Sequence, residues 1–269
     1  MRNLSEIGRV FYGIAIAVMG CLTIYYHDFP YMMLPPNHSG IPGIAIIGYI
    51  SGTALALAGT FIVLKKKART ISLFLGTVLL LVFCFYFVPY EFIVSPDYRH
   101  FGDWENAAKE LALAGGALVI ASSFPEKNEY PMARLFNKLP PLGTILFSLT
   151  IISFSLDHFI YAIPAADYVP SWIPYHLFWI YFAGIALLGS GLAIIVQIRT
   201  GLFAALLGTM IFLWFIMLHM PRVMASPAGD AGGEVASAML ALAYSGIAFV
   251  IAGAAIRKDD LVHQKPVRA

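Results

Sequence analysis

The sequence contains few charged residues and almost no cysteine for its length. Charged residues make up 12% of 269 positions and hydrophobic residues 59%, whereas a soluble domain is roughly 25% charged. A soluble protein of this size could not bury so much apolar surface, so we expect the lipid bilayer to be its solvent. The net charge is only +2, and the basic residues form short clusters beside apolar runs, which excludes a nucleic-acid partner.

Motifs that carry recognisable chemistry are also missing. Cys21 and Cys84 lie inside apolar runs and form no metal-type spacing, so we interpret them as small core side chains. A disulfide between them would require the first and third helices to lie side by side at matching depth. The sequence has no phosphate-binding loop, no serine elbow and no carboxylate pair at a catalytic spacing, so catalysis stays an open question.

Long apolar runs dominate the sequence instead. Eight are visible, and most reach the roughly 20 residues that cross a bilayer as a helix. Their spans are 8–27, 43–64, 70–93, 106–123, 141–163, 174–197, 201–220 and 235–256. The fourth is short and begins with Lys109 and Glu110, which we place at an interface. No small-residue cleavage site follows the first run, so we interpret it as a retained membrane helix rather than a signal peptide.

Lysine and arginine are distributed unequally between the two sides of this arrangement. Only Arg99, Lys109 and Arg222 fall on one side, while all other basic residues fall on the side that holds both termini. Because cytoplasmic loops carry the excess of Lys and Arg, both termini are predicted to be cytoplasmic.

The two halves of the sequence repeat with a constant spacing of 132 positions. The matching pairs are Gly52 with Gly184, Gly59 with Gly191, Gly76 with Gly208, and Pro89 with Pro221; Gly115 matches Gly246 at a spacing of 131. Four helices per repeat insert both repeats in the same direction. We therefore expect an all-α integral membrane protein with eight transmembrane helices, arranged as two tandem four-helix bundles in parallel orientation. The predicted units are a first repeat (1–123), a cytoplasmic linker (124–140), a second repeat (141–256) and a cytoplasmic tail (257–269).

Polar residues within or beside the apolar runs of the second repeat define a candidate site. The candidates are Asp157, His158, Tyr161, His176, Trp179, His219 and Arg222. Ionisable groups in lipid are costly and usually functional. Neighbouring residues on a helix are about 100° apart, so Asp157 and His158 cannot face one centre, whereas Tyr161 shares the face of His158. The first repeat has Thr23 and Phe87 at the positions equivalent to His158 and His219.

Two chemistries fit these side chains. His158, His176 and His219 could hold a transition metal through neutral imidazoles. They could equally form hydrogen bonds to a quinone headgroup, with Trp172 or Trp179 as an aromatic wall and Arg222 as a nearby positive charge. The competing interpretation is that interfacial His, Tyr and Trp side chains anchor the helices in the membrane.

The same residues carry a resemblance to a known family. The segments His158-Phe-Ile-Tyr161, Val169-Pro-Ser-Trp-Ile-Pro-Tyr-His176-Leu-Phe-Trp179 and Leu218-His219-Met-Pro-Arg222 resemble DoxX-like membrane proteins. Those are bacterial four-helix proteins, and this chain is similar to two of them in tandem. The resemblance implies the bacterial inner membrane. The family is named after a subunit of a thiosulfate:quinone oxidoreductase, so it also implies a redox or quinone connection.

Three functions remain open on the sequence alone. The first is a redox- or quinone-linked membrane subunit with a periplasm-facing His/Arg site in the second repeat. The second is a non-catalytic scaffold or accessory subunit of a membrane complex, docked through the outer loops 29–42 and 95–105, with Asp157 and Arg222 in interhelical or intersubunit pairs. The third is a small-molecule or lipid carrier, although the inner halves of the helices carry few ionisable groups.

Overall fold

The computed structural model describes residues 2–30, 33–34, 43–95, 104–125, 138–226 and 232–263, and every regular element in these ranges is helical. The helices are α1 (Arg2–Tyr26), α2 (Ile44–Val63), α3 (Ala68–Val82), α4 (Glu105–Ser122), α5 (Pro140–Ile160), α6 (Ala162–Ala166), α7 (His176–Ile195), α8 (Thr200–Trp214), α9 (Met220–Ala225) and α10 (Gly233–His263). π-Helical segments extend α3 (Phe83–Phe87 and Tyr90–Val94) and α8 (Phe215–His219). Most of the predicted linker and most of both predicted docking loops lie outside the described residues.

Within the described ranges, seven helical segments are long and apolar enough to cross a membrane. They are Asn3–Tyr26, Ile44–Val63, Ala68–Val94, Pro140–Ile160, His176–Ile195, Thr200–Ala225 and Gly233–Lys258. Large apolar side chains such as Phe74, Phe85 and Ile93 are exposed on these helices, as lipid-facing side chains should be. The fourth predicted span does form a helix, α4, but it carries Glu105, Lys109 and Glu110 and is not among the seven.

The helices pack against neighbours from their own half of the chain and also against helices of the other half. The most extensive contacts are between α1 and α10 and between α1 and α2. α4 packs closely on α5, and α10 also packs on α8. α4 and α10 touch each other and are the most buried helices, so the core lies between the last helix of the first half and the last helix of the second.

Two glycine pairs allow the inter-half contacts to be this close. A Cβ atom added at Gly246 of α10 would lie 2.5 Å from the Gly8 carbonyl oxygen of α1. A Cβ atom added at Gly143 of α5 would likewise lie 2.5 Å from the Gly115 carbonyl oxygen of α4. Small residues let helix backbones approach within van der Waals contact, which is the main source of helix association in lipid.

Uncommon backbone conformations recur at the spacing of the sequence repeat. Three pairs of residues 132 positions apart have positive φ: Gly43 (77°) and Tyr175 (60°), Lys65 (57°) and Gln197 (59°), and Lys67 (48°) and Arg199 (44°). The π-helical segments Phe83–Phe87 and Phe215–His219 are also 132 apart, and each precedes a proline. Proline has no N–H to donate, so a widened turn before it is expected. Positive φ is rare outside glycine, so these coincidences indicate similar backbones in the two halves.

Two details differ from the sequence prediction. Cys21 and Cys84 are free thiols exposed on the helix surface, because both face away from the packed interior; the prediction that they are core residues was wrong. The helix α5 ends at Ile160 rather than at 163, because Tyr161 leaves the helical conformation with φ −110° and ψ 32°. His158 therefore lies in the last turn of α5, and Tyr161 lies at the boundary of that helix, where its N–H donates to the Asp157 carbonyl oxygen at 2.8 Å.

Candidate functional site

The candidate residues lie at one end of the second half, where α5 and α8 end and α7 and α10 begin. We call this the His158 end. The opposite end, where α1 begins and α10 finishes, is called the Arg9 end. Among the seven candidates at the His158 end, His158 and Arg222 contact other side chains, and Asp157 and His219 have buried polar atoms without a partner in the described residues. The remaining three are Tyr161, His176 and Trp179.

His158 is held in one orientation by its own helix and by α8. Its Nδ1 atom lies 2.7 Å from the Phe154 carbonyl oxygen. Because a carbonyl can only accept, Nδ1 donates the hydrogen and the neutral ring presents Nε2 as an acceptor or a metal ligand. The ring stacks on Trp214, with centroids 6.0 Å apart and planes 19° apart.

The packing of α5 on α7 fixes the backbone around His158. A Cβ atom added at Gly184 would lie 3.1 Å from the His158 Cβ atom, so the two helices are nearly in backbone contact there. The Ser155 hydroxyl donates to the Gly184 carbonyl oxygen at 2.8 Å. This glycine belongs to the repeated pattern of the sequence, and its small size sets the position of His158.

His219 is the last residue of the π-helical segment of α8. Its Nδ1 atom is buried and has no hydrogen-bond partner among the described residues. Trp214 lies five residues earlier, and i→i+5 bonding places it about one turn away on the same side of the helix. A buried nitrogen without a partner costs roughly 1–3 kcal/mol, so an additional hydrogen-bond partner at this position would stabilise the protein.

Arg222 forms an interhelical ion pair. Its Nε atom donates to Glu234 Oε2 at 2.9 Å, and its terminal nitrogen donates to Oε1, so α9 is clamped to the start of α10. The guanidinium also lies 4.4 Å above the ring of Tyr168. The pair and the ring occupy Arg222 within the protein.

We expect Arg222→Ala to destabilise the protein by on the order of 1–3 kcal/mol, because it removes the ion pair of the Glu234 carboxylate, whose side chain is only 21% exposed. Thermal unfolding in detergent measures this cost. The ion pair between Lys65 and Glu6 is a suitable control, since its side chains are 50% and 46% exposed, and Lys65→Ala should cost under about 1 kcal/mol. Equal effects of the two substitutions would show that Arg222 does not fasten α9 to α10.

Asp157 faces α4 rather than the histidines. Both of its carboxylate oxygens are buried without a hydrogen-bond partner in the described part of the chain. The charged groups that act on it electrostatically are Glu105 and Lys109, which pair with each other at 2.9 Å. Asp157 and His158 thus point to different helices, in agreement with the 100° between neighbouring helical residues.

The other candidates stand apart from this arrangement. His176 is half-buried at the start of α7, and within the described ranges no hydrogen bond or ring contact joins it to His158 or His219. Trp179 is exposed, and its Nε1 atom donates to the Pro174 carbonyl oxygen at 3.1 Å. Tyr161 lies at the break between α5 and α6. Among the described residues, no group of three His, Cys, Asp or Glu side chains could hold a metal ion.

The two equivalent positions of the first half hold Thr23 and Phe87, and neither side chain has a polar atom without a hydrogen-bond partner. Thr23 donates to the Met19 carbonyl oxygen at 2.9 Å, four residues back, just as His158 bonds to Phe154. Phe87, at the position equivalent to His219, is completely buried. The second half therefore has two imidazoles where the first half has a satisfied hydroxyl and an apolar ring.

Sequence reasoning missed two polar features. Glu110 was assigned to an interface, yet its side chain is completely buried and both oxygens lack a partner in the described structure. A cavity at the Arg9 end, lined by basic side chains, was also not foreseen. A charge inside the fourth apolar run was the available signal for Glu110; the cavity has no local signal, because its lining comes from four separate parts of the chain.

Comparison with known proteins adds no relative: no family model, no curated protein and no solved structure matches the chain. The resemblance to DoxX-like proteins therefore stays a prediction, and the function has to be argued from the side chains of the site.

Proposed function

We propose that the chain is a multi-pass protein of the bacterial inner membrane, DoxX-like in kind, with both termini in the cytoplasm. In this proposal its two halves are copies of one four-helix unit, related by an axis along the membrane normal. The recurring positive-φ residues and π-helical segments support the duplication. The excess of Lys and Arg at the Arg9 end supports the orientation, which places the His158 end in the periplasmic leaflet.

The proposal includes α4 as an eighth crossing. Its 18 residues measure about 27 Å at 1.5 Å per residue, close to the roughly 30 Å of the hydrocarbon core. Most of its side chains are buried between other helices. A helix surrounded by protein does not need an apolar surface of its own, which accounts for its three charged residues.

We propose that the His158 end binds the headgroup of a quinone. The observation that carries this proposal is the buried, unpartnered Nδ1 atom of His219, one turn from the tryptophan on which His158 stacks. A quinone ring has two polar oxygens on a flat apolar body. In the reduced quinol form, His158 Nε2 can accept a hydrogen bond from one hydroxyl and His219 Nδ1 can donate to or accept from the other, while Trp214 offers a flat apolar surface. Trp214 takes the role that the sequence had assigned to Trp179.

The test uses the purified protein in detergent and a short-chain benzoquinone, kept in its reduced quinol form, as the probe. Binding should quench tryptophan fluorescence and raise the melting temperature, whereas a benzene analogue without the two oxygens should do neither. The double substitution His158→Ala and His219→Ala should weaken binding at least about tenfold, because two hydrogen bonds of roughly 1 kcal/mol each are lost. His176→Ala, which leaves both histidines in place, should bind as the unsubstituted protein does.

Equal binding by the double variant, or no binding at all, would refute the quinone proposal. Elemental analysis of the unsubstituted protein and of the double variant tests the metal alternative. A metal held by His158 and His219 would be present in the unsubstituted protein and missing from the double variant.

A second candidate function, a non-catalytic accessory subunit, is favoured by the ion pair of Arg222. An arginine fully engaged with Glu234 and Tyr168 stabilises the fold and does not need a ligand. A protein that binds no quinone and no metal, but is recovered from membranes with a constant partner, would support this second candidate.

A further inference from the structure

A cavity opens at the Arg9 end, on the far side of the protein from the histidines. Its volume is about 320 Å³. The side chains that define it are Glu6, Arg9, Lys65, Ser123, Phe124 and Arg257. They come from the start of α1, the α2–α3 turn, the end of α4 and the last turns of α10, so only the folded protein brings them together.

Arg9 is fixed in place by the end of α4. Its Nε atom donates to the Ser123 hydroxyl at 2.9 Å, and its Nη2 atom donates to the Ser123 carbonyl oxygen at 2.7 Å. The guanidinium also lies 4.3 Å above the Phe124 ring. A guanidinium has five N–H donors, so an arginine oriented in this way still has donors to offer a ligand. Pre-orientation lowers the entropy lost on binding.

The cavity carries an excess of positive charge. Its lining has the three basic side chains of Arg9, Lys65 and Arg257 against one carboxylate, Glu6, which pairs with Lys65 at 2.9 Å and also acts favourably on Arg9. The Arg257 guanidinium is exposed, and its charge acts unfavourably on Arg9. An anion bound between Arg9 and Arg257 would attract both guanidiniums and offset the repulsion between them. Charge-assisted hydrogen bonds would strengthen both contacts.

The second half of the chain has no such set of charges. The glycine pairs at the helix crossings align Gly8 with Gly143, so the residue equivalent to Arg9 is Thr144. The residue equivalent to Lys65, 132 positions on, is Gln197. A general requirement for basic residues at this membrane surface would apply equally to positions 144 and 197, so the concentration of charge around Arg9 indicates a specific site.

We propose that this cavity binds a phosphate group, as presented by the headgroup of an anionic phospholipid or by free phosphate. A phosphate offers several oxygens to two forked guanidiniums and a lysine. Basic pockets between membrane helices on the cytoplasmic side bind lipid headgroups of this kind. The site is independent of the proposed quinone site, and its existence does not depend on the orientation of the protein in the membrane.

The test titrates the purified full-length protein, in a neutral detergent, with three probes. Phosphatidylglycerol should raise the melting temperature, while phosphatidylcholine with the same acyl chains carries no net charge and should not. Inorganic phosphate is the third probe: a rise at millimolar concentration identifies free phosphate as a source, and a rise with phosphatidylglycerol alone identifies the lipid. Equal effects of the two lipids, or no effect of any probe, would overturn the proposal.

Arg257→Gln is the decisive variant, since Arg257 is exposed and its loss should not disturb folding. It should weaken the affinity for the probe that raises the melting temperature by about tenfold, because one charge-assisted hydrogen bond is lost. Lys258→Gln is the matched control, because it removes the same charge from the neighbouring exposed position, outside the cavity lining. An equal loss in both variants would mean that only the general surface charge attracts the anion.

Discussion

Gly246→Leu is expected to force α1 away from α10 and to prevent recovery of folded protein. A Cβ atom at this position would lie 2.5 Å from the Gly8 carbonyl oxygen and 2.9 Å from the Tyr12 nitrogen. Both are backbone atoms, so no side-chain rotation can relieve the clash. The contact between α1 and α10 is among the most extensive in the protein, and membrane helices associate chiefly through such close packing.

A smaller side chain at position 246 should reduce stability less. Gly246→Ala introduces only the Cβ atom, and we expect it to cost about 1–3 kcal/mol, as overpacking of a close contact usually does. Thermal unfolding and size-exclusion chromatography in detergent measure the loss for both variants. Gly115→Ala, at the α4–α5 crossing of the other pair, should have a similar cost, because its Cβ atom would lie 2.8 Å from the Gly143 carbonyl oxygen.

Gly189→Leu provides the control for these substitutions. Gly189 lies in α7, and an added Cβ atom would meet nothing within 4 Å. The same change of residue should therefore leave stability almost unaltered. If Gly189→Leu and Gly246→Leu were equally harmful, the loss would come from a general intolerance of glycine substitution and not from the α1–α10 crossing.

Glu110→Leu is expected to stabilise the protein, whereas Glu110→Lys should prevent stable folding. The Glu110 side chain is completely buried, and neither oxygen has a hydrogen-bond partner within the described residues. The nearby Tyr12 hydroxyl is already used, because it donates to the Leu113 carbonyl oxygen at 2.8 Å. Removing an unsatisfied buried polar group should gain roughly 1–3 kcal/mol, while a buried lysine without a partner adds a charge that nothing compensates.

Leu113→Ala on the same helix is the reference against which the stability change of Glu110→Leu is judged. Leu113 is also completely buried, and its truncation should cost about 2–5 kcal/mol by leaving a cavity. A loss of stability in Glu110→Leu comparable to that of Leu113→Ala would show that Glu110 has a partner and contradict the prediction. A gain would show that the carboxyl is kept at the expense of stability, as is typical of functional ionisable groups in membranes.

The sequence predicted the helices well and their partners poorly. The second apolar run, 43–64, corresponds closely to Ile44–Val63 in the structure, and the sixth, 174–197, to His176–Ile195. The repeat spacing of 132 reappears in the backbone, where Lys67 and Arg199 share an uncommon conformation. The prediction did not include the packing of α1 on α10, because a lipid-facing side of a helix is as apolar as a protein-facing side.

In the candidate site, too, the sequence indicated individual polar residues but not the side chains that they contact. His158 and His219 could be singled out as costly polar residues in apolar runs. Trp214, which stacks on His158, could not, since one more aromatic residue in an apolar run has no distinguishing signal. The partner of Arg222 was equally hidden, because Glu234 belongs to a different helix and only the fold brings their side chains together.

The sequence by itself determined that the chain forms long apolar helices, and in what order. Lipid offers no hydrogen bonds to the backbone, so each apolar run of about 20 residues must satisfy its own N–H and C=O groups as a helix. Only the tertiary structure decided which helices touch, which glycines permit it, and which of the buried polar atoms of Glu110, Asp157 and His219 lack partners. Those outcomes depend on shape and distance between helices, which hydrophobicity along a chain does not encode.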